Sequence, residues 1–183
     1  MQSALVLIDI QQDYFPGGKN ELQAPDAAAA QAALALEFYR RKGLPVYHVR
    51  HESIKPGAGF FLPGTPGAEI HPAVAPWRDE PVIVKHAPNA FLRTGLKQEL
   101  LGHKITQLVI VGMMTHMCID TTVRAAQDFG FSVVVLEDAC ATKDLMWGEE
   151  RIPAGTVQKT IMASLNGTFA RVIGAERFLR DAE

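Results

Sequence analysis

Six short runs of β-branched and leucine residues punctuate the chain: Ala4 to Ile8, Pro45 to Val49, Pro81 to Val84, Leu108 to Val111, Ser132 to Leu136 and Phe169 to Ile173. Each is almost continuously apolar, the pattern of a strand buried on both faces of a parallel sheet. Helical spacing fills the gaps. Asp26 to Lys42 is Ala-rich and carries Leu34 and Phe38 four residues apart, with Asp26 placed to cap its start and Arg40, Arg41, Lys42 and Gly43 closing it. A second helix is predicted from about His116 to Phe129, stopping at Gly130, with Ile119, Val123 and Ala126 on one buried face. Weaker helical signals cover Leu92 to Leu101 and Thr156 to Leu165. This alternation predicts an α/β fold of βαβ units with right-handed crossovers and helices on both faces of one parallel sheet.

The stretch from Glu52 to Arg78 breaks the alternation. It carries nine Gly or Pro residues between Pro56 and Pro76, and a structureless loop of this length in a small domain tends to cover or line a site. Phe60, Phe61 and Leu62 are its candidate pocket walls; the alternative is that they pin the loop to the body.

At 183 residues the chain fits one domain, taken as 1–183. A hydrophobic share of 48% with 21% charged residues is ordinary for a globular core and excludes disorder or a fibrous repeat. The formal charge of -2 supplies no positive field for nucleic acid or anionic lipid. No apolar run reaches the roughly 18 residues that span a bilayer. Met1-Gln2-Ser3 leads straight into a strand without a basic region or cleavage site, so a cytoplasmic protein is expected. Cys118 and Cys140 are too few for a disulfide framework.

In an open parallel sheet ligands bind beyond the carboxyl ends of the strands. Three reactive residues fall there: Asp9 after Leu5 to Ile8, Lys85 after Val82 to Val84, and Cys118 across the turn that follows Leu108 to Val111. Taken singly, each has a plain structural reading as a capping Asp, a solvated Lys and a small buried Cys. Together they make a chemical set. A start-of-helix position and Lys85 are both expected to favour the Cys118 thiolate. Asp9 is placed to act as general base and to return the proton to a leaving amine. Backbone N–H groups of the turn are candidates for an oxyanion hole.

The runs Leu7-Ile8-Asp9-Ile10-Gln11-Gln12-Asp13-Tyr14-Phe15, Val84-Lys85, and Gly112-Met113-Met114-Thr115-His116-Met117-Cys118-Ile119-Asp120 resemble the isochorismatase-like cysteine hydrolases, relatives of nicotinamidases and N-carbamoylsarcosine amidase. The likeness extends through Gly67 to Pro72, Phe91 to Leu96 and Glu137-Asp138-Ala139. It implies a Rossmann-like three-layer αβα fold with a six-stranded parallel sheet and a catalytic triad of Asp9, Lys85 and Cys118. It further implies a cis peptide at Met113-Met114 and an oxyanion hole from the backbone N–H groups of Met114 and Cys118. Members are commonly dimers or tetramers, so a homo-oligomer is expected.

Departures from the family's branches narrow the reading. The metal-binding Asp-x-His of nicotinamidases is replaced here by His48-Val49-Arg50-His51-Glu52-Ser53. His48, His51 and His71 show no compact ligand spacing, so no metal and no cofactor is expected. Retention of Cys118 favours cleavage of a C–N bond in a small amide, ureide or carbamoyl compound over hydrolysis of a vinyl ether. Tyr14, Phe15, Phe60, Phe91, Thr115 and Trp147 are candidate substrate contacts; core aromatics carry the same signal. Asp138 and Cys140 are read as structural. A nucleotide-binding module is disfavoured because Asp9-Ile10-Gln11 stands where a Gly-x-Gly-x-x-Gly turn would begin. A catalytically silent scaffold subunit is the remaining alternative.

Overall fold

The computed structural model describes residues 2–182. Five parallel strands are formed by β1 (Ser3–Ile8), β2 (Val46–His51), β3 (Val82–Lys85), β4 (Gln107–Met113) and β5 (Ser132–Ala141). An antiparallel hairpin of β6 (Leu145–Trp147) and β7 (Glu150–Ile152) follows, and β8 (Arg171–Ile173) completes a six-stranded sheet in the order β3-β2-β1-β4-β5-β8. The α-helices are α1 (Pro25–Arg41), α2 (Leu96–Gly102), α3 (Asp120–Asp128), α4 (Ala154–Leu165) and α5 (Ala175–Ala182). Among the described residues no helix is long and apolar enough to cross a membrane.

Side chains that alternate across the strands build two cores. Leu5, Leu7, Val109 and Val111 pack with Ala32, Leu36 and Phe38 of α1 and Ala175 of α5. Ala4, Val6, Ile8, Leu108 and Ile110 meet Leu96 and Leu100 of α2, Val123 and Ala126 of α3, and Met162 and Leu165 of α4. With both faces covered, the central strands have no polar side to show, which is why their sequence runs are continuous; the edge strand β3 leaves Val82 and Val84 exposed.

Strand order reverses between β1 and β4, where Ile8 pairs with Gly112. Gly112 has a φ of 134°, and a Cβ there would lie 2.0 Å from the Ile8 carbonyl oxygen. Only glycine lets the two strands approach this closely at the switch point.

The elements differ from the sequence reading mainly at their ends. Helix α1 begins at Pro25, with Ala24 as a left-handed N-cap, so Asp26 lies in the first turn instead of capping it. The helix expected from His116 is a π-helical turn, Thr115–Ile119, that runs into α3. Residues 92–95 are a turn before α2. The hairpin and α5 had no counterpart in the apolar pattern, being short or mostly exposed. The long loop contains two 3-10 turns, Pro66–Ala68 and Pro72–Val74. It is anchored through Phe61, which is buried and whose N–H donates to Asp13 Oδ2 at 2.6 Å.

Candidate active site

Asp9 is the first residue past β1 and adopts a positive φ of 53°, while its N–H still donates to Val49 O at 2.9 Å. Lys85 ends β3, paired in register with His51 at the end of β2. Cys118 sits in the π-helical turn after β4. The peptide between Met113 and Met114 is cis. Met114 O accepts from the N–H groups of Met117 and Ile119 at 3.0 and 3.2 Å, folding the turn back over the sheet end.

Two strand spacings of about 4.8 Å separate β3 from β1, so only a long side chain can reach from one to the other. Lys85 does so. Its Nζ lies 2.7 Å from Asp9 Oδ2 and 3.2 Å from Cys118 Sγ, and it also meets Ala87 O at 3.0 Å and His51 Nδ1 at 3.1 Å. Asp9, Lys85 and Cys118 are all buried. The Asp9 carboxylate faces Lys85 and the Cys118 thiol, and neither of its oxygens has a further well-aligned hydrogen bond, which leaves it open to a proton.

Burial pushes the Asp9 carboxyl up, with the Lys85 charge opposing. Burial would lower Lys85, but the facing Asp9 and Cys118 prevail and raise it. The Cys118 thiol is pushed well up, by burial first and then by the Asp9 charge, against the pull of Lys85. This reverses the expected thiolate. The ammonium is nearer to Asp9 than to the sulfur and is largely neutralised there, and Cys118 precedes α3 instead of occupying its first turn. Against the upward push of burial on Asp9, the 2.7 Å ion pair with Lys85 favours Asp9 as a carboxylate, so the arrangement reads as thiol, carboxylate and ammonium. Moving the thiol proton to Asp9 keeps its net charge at zero, so the buried site incurs no new net charge when the nucleophile forms.

Asp9, His51 and Cys118 bring donor atoms within 4.8 Å of one another, a spacing that suits a metal ion. The Lys85 ammonium contacts all three, so the cationic place in that donor set is already filled. The histidines considered as ligands diverge. His48 bonds Glu80 at 2.9 Å, His51 faces Lys85, and His71 stacks on Phe15 with ring centroids 3.8 Å apart.

The proposed substrate contacts divide. Tyr14 is buried close enough to Asp9 and Cys118 that burial and their charges raise its phenol, which stays neutral. Phe60 and Phe61 pack on Tyr14 at 6.0 and 4.6 Å. Phe15 is engaged with His71. Phe91 belongs instead to the core, against Phe129 and Phe131. The buried Thr115 hydroxyl is committed to Gln158 Oε1 and Ala141 O at 2.6 and 3.2 Å. Trp147 stands on the hairpin at 78% exposure, outside the ring of residues that touch the triad.

Sequence reasoning missed Gln11, whose buried amide clamps the main chain of His51 and reaches Ala68 O in the long loop. It also missed Asp13 as the loop's anchor. The only sequence signal is that both are polar positions in the short stretch beyond the carboxyl end of β1, past Asp9 and Ile10.

Comparison with known proteins decides the family. The Isochorismatase domain matches residues 3–177. This chain belongs to the isochorismatase family. The isochorismatase family protein YddQ of Bacillus subtilis is 48% identical over 98% of this chain and 100% of its own. A crystal structure described as an isochorismatase hydrolase from Oleispira antarctica superposes with a TM-score of 0.94 at 47% identity, covering 98% of this chain and 96% of that one. Streptothricin hydrolase of Streptomyces noursei is 33% identical over 78% of this chain and 50% of its own length. The protein is thus an isochorismatase-family hydrolase with the family's α/β architecture.

Proposed function

We propose that this isochorismatase-family hydrolase cleaves a C–N bond in a small amide, ureide or carbamoyl compound through a Cys118 thioester. The observation that carries the reading is the single buried Lys85 ammonium held between Asp9 Oδ2 and Cys118 Sγ at 2.7 and 3.2 Å. A relative named for hydrolysing streptothricin agrees with a hydrolytic role.

Asp9 takes the thiol proton as Sγ attacks the substrate carbonyl carbon. The carbonyl electrons move onto oxygen, facing the backbone N–H groups of Met114 and Cys118. Collapse breaks the C–N bond, and the nitrogen leaves with the proton from Asp9. Asp9 then deprotonates water, which attacks the thioester; the departing sulfur recovers the proton. Lys85 keeps its charge throughout and holds carboxylate and sulfur in register. Tyr14 and Phe61 wall the site and exclude bulk water.

The test is ammonia release from a library of small amides and ureides by the wild type and by Cys118→Ala. Loss of turnover with an unchanged melting temperature is expected. A fully active Cys118→Ala would eliminate the thioester and leave chemistry that needs no nucleophile.

A further inference from the structure

His51 is a side-chain neighbour of the triad that the mechanism leaves idle. Its ring Nδ1 lies 3.1 Å from Lys85 Nζ. An ammonium has three hydrogens to give and no lone pair, so an N–H on Nδ1 would point at a cation, and a neutral ring is favoured with its hydrogen on Nε2. The ring is neutral at ordinary pH, because burial and the charges of Lys85, His86 and Lys55 hold His51 down to about 4. Among the described residues no acceptor meets Nε2, and His51 is half-exposed where Asp9, Lys85 and Cys118 are buried. The main chain beneath the ring is fixed by Gln11, whose Oε1 accepts from His51 N at 2.7 Å and whose Nε2 donates to His51 O at 2.9 Å.

We propose that Lys85 holds His51 as the Nε2–H tautomer and that this N–H is a catalytic-site donor to substrate, selecting compounds with an acceptor oxygen beside the scissile carbonyl, as in an acylurea. The inference rests on the amidase reading above and deepens it. An aromatic floor of Phe61, 6.0 Å from the His51 ring, and Tyr14 offers no competing donor except the phenol. A neutral donor beside an internally neutralised ion pair suits a neutral carbonyl acceptor better than a cation, which would meet Lys85.

The test has a substrate-free arm and a kinetic arm. In the full-length protein labelled with 15N-histidine and assigned with His51→Gln, long-range proton–nitrogen correlation at neutral pH should show Nε2 protonated and Nδ1 bare. A hydrogen on Nδ1, or an imidazolium, overturns the proposal whatever the substrate. N-acetylurea and N-ethylurea differ by the one acceptor oxygen. His51→Leu, which also strips Lys85 of a partner, should lower kcat/KM for both ureas, but for acetylurea roughly ten- to a hundredfold more than for ethylurea, the extra loss expected when a hydrogen bond to substrate is deleted. His51→Gln, which keeps an N–H, should restore part of it. Equal losses on both ureas overturn the recognition role. So does a titration of Cys118→Ala with acetylurea that leaves the His51 Nε2 resonance unmoved. Turnover surviving in Cys118→Ala would sink the thioester and leave the tautomer result standing, so the two failures are separable.

Discussion

Replacing Lys85 with Met removes the cation that, among the described residues, contacts the fully buried Asp9 carboxylate. At 2.7 Å and an effective dielectric constant of about 20, the attraction lost is roughly 6 kcal/mol before desolvation is counted. Breaking a buried pair by deleting one partner typically costs about 3 to 5 kcal/mol. Asp9 has one escape, which is to take up a proton. Its folded pKa is already raised by burial and rises further without Lys85, while the unfolded value is about 3.9. A carboxyl with a raised folded pKa stabilises the fold fully below its unfolded pKa, and that contribution is lost as pH rises through the folded value. Holding Asp9 protonated at pH 7 costs about 1.4 kcal/mol for each of roughly three pH units, or about 4 kcal/mol; at pH 5 it costs about 1.5 kcal/mol. The deficit of Lys85→Met relative to wild type should therefore shrink on going from pH 7 to pH 5, by up to about 2 to 3 kcal/mol, since a raised Asp9 in the wild type shares part of the slope. Urea unfolding of both proteins at pH 5 and pH 7 measures it. Adding Asp9→Asn to Lys85→Met should recover most of the loss at pH 7 and flatten the pH dependence. An equal deficit at both pH values, or a double variant less stable than Lys85→Met, would refute the reasoning.

Alkylation of Cys118 in the free enzyme should behave as that of a buried thiol, rising only above the ordinary thiol range near 8.5; a rate already level at neutral pH would show that Lys85 outweighs burial and Asp9. Cys140, which burial pushes up to about 12, is the internal reference. Gly112→Ala should destabilise the fold on the order of 3 kcal/mol or more, since its Cβ would meet the Ile8 carbonyl oxygen at 2.0 Å between two central strands; calorimetry showing a melting temperature within a degree of wild type would mean that β1 and β4 separate at little cost.

The strands were legible because burial on both faces leaves a continuous apolar run, and the sheet's six members lie within a few residues of the runs that announced them. The reactive residues were legible for a related reason. Asp9 and Lys85 stand at the carboxyl ends of apolar strands and Cys118 lies across the turn that follows a third, and parallel pairing carries the three strand ends to one edge. Element boundaries were less visible, as at Asp26 and residues 92–95, because the turns that end helices depend on local backbone geometry that periodicity does not report. Phe91, Thr115 and Trp147 were misplaced in the expected pocket since an aromatic or hydroxyl residue looks the same in sequence whether it faces a core, a helix or solvent.

The order of apolar runs thus determined the architecture from local pattern, and the polar residues that close them pointed to one sheet edge. Which groups touch was decided only by the tertiary structure, which brings residues 9, 51, 85 and 118 from four separate elements around one ammonium. That packing keeps the thiol protonated, fills the place a metal would take and turns the His51 ring. Desolvation and charge act through space, and distances along the chain do not encode them.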